Sequence, residues 1–103
     1  MITLIQQHRD SLQQLCQRYR VERLELFGSA ATEHAFDPQT SDLDFLVEFQ
    51  PLQSGEYADA YFGLLEQLES LFQRPVDLVM TRAIKNPYFL EKVNQTRTVL
   101  YAA

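Results

Sequence analysis

Two aspartates separated by one residue, Asp42 and Asp44, open an apolar run, and a third, Asp77, lies inside another. Along Ser41-Asp42-Leu43-Asp44-Phe45-Leu46-Val47-Glu48-Phe49, a period of two puts Leu43, Phe45, Val47 and Phe49 on one face of a strand and both aspartates on the other. Leu46 is the one apolar residue on the aspartate face. Carboxylates this close repel, and a partly buried pair is tolerable only when paired, protonated or bound to cations. Mg²⁺, a hard ion that takes oxygen ligands and keeps several waters, suits such a donor set. Two such ions can neutralise phosphate charge and hold attacking and leaving oxygens in line, the requirements of phosphoryl and nucleotidyl transfer. Asp42 and Asp44 would bridge the ions. Asp77, if its strand lies beside theirs, would complete the ion carrying the attacking hydroxyl and accept its proton.

A nucleoside triphosphate also needs a place for its phosphates, and Gly28-Ser29 offers one at the end of the apolar run Val21 to Phe27. Glycine permits close backbone approach, a helix starting there would aim N–H groups at the anion, and Ser29 adds a hydroxyl. Each piece alone has an ordinary explanation: a solvated strand edge, a strand-ending turn, an exposed strand aspartate. Their order along the chain argues for one site.

The elements that must position these residues follow from spacing. Leu4, Ile5, Leu12, Leu15, Cys16 and Tyr19 make one stripe of a helix over residues 3–19. Residues 21–27 read as a strand, 28–32 as the start of a helical turn, 33–41 as a loop, 42–49 as the aspartate strand and 50–55 as a second loop. Tyr61, Leu64, Leu65, Leu68, Leu71 and Phe72 mark a helix over 57–72. Residues 75–80 form a short strand starting at proline. Asn86-Pro87 is an N-cap followed by proline at the first helical position, and residues 98–101 form a terminal strand. This order predicts a small α/β or α+β sheet with helices on one side.

The 103 residues suit one domain, 1–103, and 46% hydrophobic with 12% aromatic residues predicts a packed globule. A net charge of -5 argues against binding nucleic acid by phosphate neutralisation. The single cysteine, Cys16, excludes an internal disulfide and fits a reducing cytoplasm; with no leader or long apolar stretch, the chain reads as cytoplasmic with no membrane partner.

Leu26-Phe27-Gly28-Ser29, Ser41-Asp42-Leu43-Asp44-Phe45-Leu46-Val47 and Val76-Asp77-Leu78-Val79 together resemble the motifs of the DNA polymerase β-like nucleotidyltransferase superfamily, and the size resembles its minimal members, the MNT proteins. The resemblance runs from about Val21 through the Asn86-Pro87-Tyr88-Phe89 helix to Leu100-Tyr101. It implies an α+β fold with a small mixed β-sheet flanked by helices, and Mg²⁺-dependent transfer of AMP from ATP. It further implies Asp42, Asp44 and Asp77 as metal-holding catalytic residues, Gly28 and Ser29 at the nucleotide, and pairing with a HEPN-type toxin. In such pairs the MNT member is the antitoxin and adenylylates a tyrosine of the toxin.

One departure stands out. Many relatives carry an arginine shortly after the Gly-Ser pair, in a pattern resembling G-S-x-A-R-G, whereas here Thr32 replaces the arginine and Glu33 the glycine, so the triphosphate loses a cationic partner; Arg82 or Lys85 could replace it. A chain this short leaves no residues for a substrate-holding lobe, which favours an acceptor that is itself a protein. The alternatives are a non-catalytic antitoxin that blocks its toxin by binding and a transferase acting on a small molecule. His34 reads as an exposed loop residue and His8 as part of a polar helix face, while Tyr57, Phe62 and Tyr88 are candidates for an exposed partner surface.

Overall fold

The computed structural model describes residues 3–31 and 42–103, Ser29 by its backbone alone. Helices α1 (Thr3–Gln7) and α2 (Arg9–Arg18) lead into strand β1 (Val21–Phe27) and a 3₁₀ turn over Gly28–Ala31. Strand β2 (Leu43–Phe49), helix α3 (Glu56–Phe72), strand β3 (Val76–Met80), a second 3₁₀ turn (Thr81–Ala83), helix α4 (Pro87–Thr96) and strand β4 (Thr98–Ala102) complete the order. The strands form one sheet in the order β3-β2-β1-β4. β1 is antiparallel to β2 and to β4, and β2 is parallel to β3, so the sheet is mixed.

The expected first helix is broken at His8. Its N–H reaches the Ile5 carbonyl (3.1 Å), while the ring Nδ1 donates to Leu4 O (2.9 Å), standing in for the missing α-helical bond. The ring also meets Phe72 edge-on, with centroids 5.2 Å apart. His8 therefore serves the packing of α1 onto α3 rather than a polar face.

The main core lies between one sheet face and α1, α2 and α3. Leu43, Phe45, Val47 and Phe49 of β2 all enter it, as their period requires, with Ile5, Leu12 and Cys16 on one side and Leu64, Leu68 and Phe72 on the other. Burial pushes the Cys16 thiol up to about 12, which leaves it an inert apolar filler. A register shift between Val21 and Arg23 lets Val21 and Leu24, three residues apart, share this face.

Helices on one side only is the expectation the structure corrects. The opposite face carries Phe27, Leu46 and Val93 of α4 in a second cluster, with Val79 and Ile84 against it. Leu46 alternates out of the main core, and α4 covers it there. The start of α4 follows the sequence: Asn86 Oδ1 accepts from Tyr88 N (2.9 Å) and Phe89 N (3.4 Å), with Pro87 in the first turn. Its end is fastened by Arg97, which pairs with the buried Glu25 of β1, and Arg23 reaches the same carboxylate at 3.2 Å.

Candidate active site

Asp44 and Asp77 are register partners in the parallel β2–β3 pair. Aligned residues of adjacent strands project to the same face, so these carboxylates stand side by side, next to the apolar cluster that begins two residues on at Leu46 and Val79. Asp42 precedes β2 and is exposed, on the side of Asp44 by alternation. Asp44 records the company it keeps: burial pushes its carboxyl up from 3.8 to about 6, and the charges of Asp77 and then Asp42 add to the rise.

β1 supplies the third wall. Phe27 is the register partner of Asp44, and the next residue, Gly28, adopts φ +74°. A Cβ placed on Gly28 would lie 2.5 Å from Asp44 Oδ2, so any larger residue there would strain the positive φ and push the carboxylate from its place. The chain makes a 3₁₀ turn over Gly28–Ala31, and the Gly28 N–H donates to Thr96 Oγ1 at 2.9 Å. Thr32, Glu33, His34 and Ser41 lie outside the described residues, as does the Ser29 side chain.

Tyr61 of α3 closes the free edge of β3: its hydroxyl donates to Leu78 O at 2.5 Å, and burial together with Asp77 raises its pKa. Arg82 sits over the Tyr57 ring, 5.6 Å from its centroid. Tyr57 faces inward, accepting from Leu52 N at 3.0 Å and meeting Phe49 edge-on, whereas Phe62 and Tyr88 are exposed at 63% and 78%. Of the three candidate partner-binding aromatics, only Phe62 and Tyr88 are free for that use.

Among the described residues, no three His, Cys, Asp or Glu side chains close round a single ion. The donor chemistry nonetheless fits a hard divalent cation. An oxygen-only ligand such as Asp44, held up by burial and by the charges of Asp77 and Asp42, gains from a cation, and Mg²⁺ takes one or two carboxylates while leaving its other positions to water and phosphate.

The nucleotidyltransferase domain family matches residues 7–100, a span that holds all three aspartates and Gly28. The chain belongs to this family. Two candidate protein adenylyltransferases of Methanocaldococcus jannaschii are similar to this nucleotidyltransferase. One is 36% identical over 81 residues, 79% of this chain and 78% of that protein; the other is 32% identical over 78 residues, 76% and 75%. Among solved structures, a candidate minimal nucleotidyltransferase is 28% identical, with a TM-score of 0.65 covering 94% of this chain and 95% of that one. A chain of the complex between the tri-AMPylated HEPN toxin of Shewanella oneidensis and its MNT antitoxin is 20% identical. Its TM-score is 0.64, with coverage of 95% and 72%, and it shares the fold of this nucleotidyltransferase. No helix among the described residues is long and apolar enough to cross a membrane.

Proposed function

We propose that this nucleotidyltransferase, a single minimal domain, moves AMP from ATP to a hydroxyl of a partner protein, a tyrosine of a HEPN-type toxin, and thereby acts as its antitoxin. The observation that carries the reading is the side-by-side placement of Asp44 and Asp77 with Gly28 packed against Asp44. The adenylyltransferase names of the relatives and the toxin–antitoxin setting of the structural neighbour support the choice of acceptor.

Asp42, Asp44 and Asp77 would hold two Mg²⁺ ions, which neutralise the phosphates and acidify the acceptor hydroxyl. In the reaction, the acceptor oxygen forms a bond to the α-phosphorus and the bond from that phosphorus to the pyrophosphate oxygen breaks. Asp77, on the edge strand β3, takes the hydroxyl proton. The glycine turn at Gly28–Ser29 walls the phosphate side, where bulk at residue 28 would displace Asp44. The exposed Phe62 and Tyr88 give the partner protein aromatic anchors.

Incubation with MgATP and a HEPN-type toxin, taken from beside its gene if one is encoded there, should add one or more adenylates to a toxin tyrosine, read by peptide mass spectrometry. An unmodified toxin that is nevertheless inhibited would favour the second reading, a non-catalytic antitoxin. That reading has a specific basis in Thr32, which stands where many relatives carry arginine.

A further inference from the structure

The Gly28 turn is held from a distance. β1 ends at Phe27, so the Gly28 N–H has no strand partner, and it donates to the side chain of Thr96, 68 residues away. Thr96 is the last residue of α4, and the chain around it is fixed on both sides. Val93 is buried against Phe27 and Leu46, Arg97 is paired with Glu25, and the Thr98 hydroxyl donates to Thr96 O at 3.3 Å. An oxygen mounted this firmly can set where Gly28 lies, and Gly28 lies against Asp44 with no room for a methyl group.

We propose that Thr96 is a positioning residue for nucleotidyl transfer: its side-chain oxygen takes the Gly28 N–H and so keeps the glycine backbone seated against the Asp44 carboxylate. The inference rests on the nucleotidyltransferase reading above. In this role Thr96 acts through Gly28. Valine would keep its shape and remove the acceptor, leaving a part-buried N–H unpaired, whereas serine would keep the oxygen.

The test is calorimetric titration of the full chain with MgAMP-PNP, at a temperature where circular dichroism shows each variant folded. Thr96→Val should weaken binding by about fivefold or more, the equivalent of one hydrogen bond, while Thr96→Ser should stay within about twofold of the unmodified protein. Equal affinity for Thr96→Val and the unmodified protein would overturn the role of Thr96 and leave the nucleotidyltransferase reading standing. So would a loss in Thr96→Ser as large as in Thr96→Val, since a bulk effect would then explain both. No binding by the unmodified protein would overturn both inferences together. If Thr96→Val does not fold, amide hydrogen exchange in the unmodified protein decides: a protected Gly28 N–H supports the inference, and one exchanging as freely as an exposed loop amide overturns it.

Discussion

Asp44 and Asp77 face each other across the parallel β2–β3 pair, in register and on one face of the sheet. The strand register fixes both Cα positions, so the half-buried Asp44 keeps the exposed Asp77 as its neighbour and would gain from a cation between them. The two carboxylates stand on paired strands beside an apolar cluster, which suits chemistry that needs positioned negative charge next to apolar surface.

The first expectation concerns pH. Asp44 titrates near 6 in the folded protein and near 3.8 when unfolded. Below the lower value the group is protonated in both states and has no effect. Between the two, the folded state keeps a proton that the unfolded state releases, so stability falls as pH rises, and above about 6 the penalty is complete. Since Asp44 is partly exposed, solvent screens this to roughly 1 kcal/mol, a few degrees in melting temperature. With chelator present, Asp44→Asn should melt higher than the unmodified protein at pH 8, and the difference should have nearly vanished at pH 3. A large drop at pH 8 would make Asp44 a structural residue.

A divalent cation should reverse that penalty. Saturating Mg²⁺ or Mn²⁺ at about 100 times its dissociation constant should stabilise the protein by roughly 2.7 kcal/mol. Near pH 6 it should also release protons, because Asp44 must ionise to bind. Differential scanning fluorimetry and an unbuffered titration measure the two effects, and both should shrink in Asp77→Asn. A melting temperature indifferent to metal would count against the carboxylates as its ligands.

Two glycines separate strain from contact. Gly28 and Gly55 both have positive φ, +74° and +93°, but a Cβ at Gly55 meets nothing within 4 Å. Gly55→Ala should cost about 1–2 kcal/mol of stability and leave nucleotide binding intact. Gly28→Ala should cost at least as much and also abolish MgAMP-PNP binding, because its methyl group displaces Asp44. Retained binding in Gly28→Ala would contradict the packing described.

Arg97→Ala should destabilise the protein by about 3 kcal/mol in urea denaturation, since it leaves the buried Glu25 with Arg23 alone. A loss below about 0.5 kcal/mol would show that this ion pair behaves as a surface contact.

Much of this molecule is legible in its sequence because its elements obey their periods. The alternation through β2, the apolar stripe of α3 and the Asn86-Pro87 start of α4 each follow from local chemistry. What escapes is set by contacts between distant segments. The break at His8 depends on a ring bond to Leu4 O that no hydropathy pattern encodes. Leu46 alone on the aspartate face was the one sign that this side is covered, but it could not name α4 as the cover. For the site, spacing placed Asp42 and Asp44 on one face of their own strand. Only the parallel register puts Asp77 on that face as well. The Thr96 bond to Gly28 joins residues 68 apart and has no signature in either segment.

The most direct test is transfer of label from ATP to the proposed HEPN-type partner in the presence of Mg²⁺, with the label placed on the α-phosphate in one reaction and on the γ-phosphate in another. The α-label should appear on the toxin and the γ-label should not, and Asp44→Asn, which keeps the shape of the site without its charge, should reduce transfer at least about a hundredfold while still binding the toxin. Equal protection of cells by Asp44→Asn and the unmodified protein, with no α-label on the toxin in either case, would contradict nucleotidyl transfer and leave binding alone as the antitoxin activity.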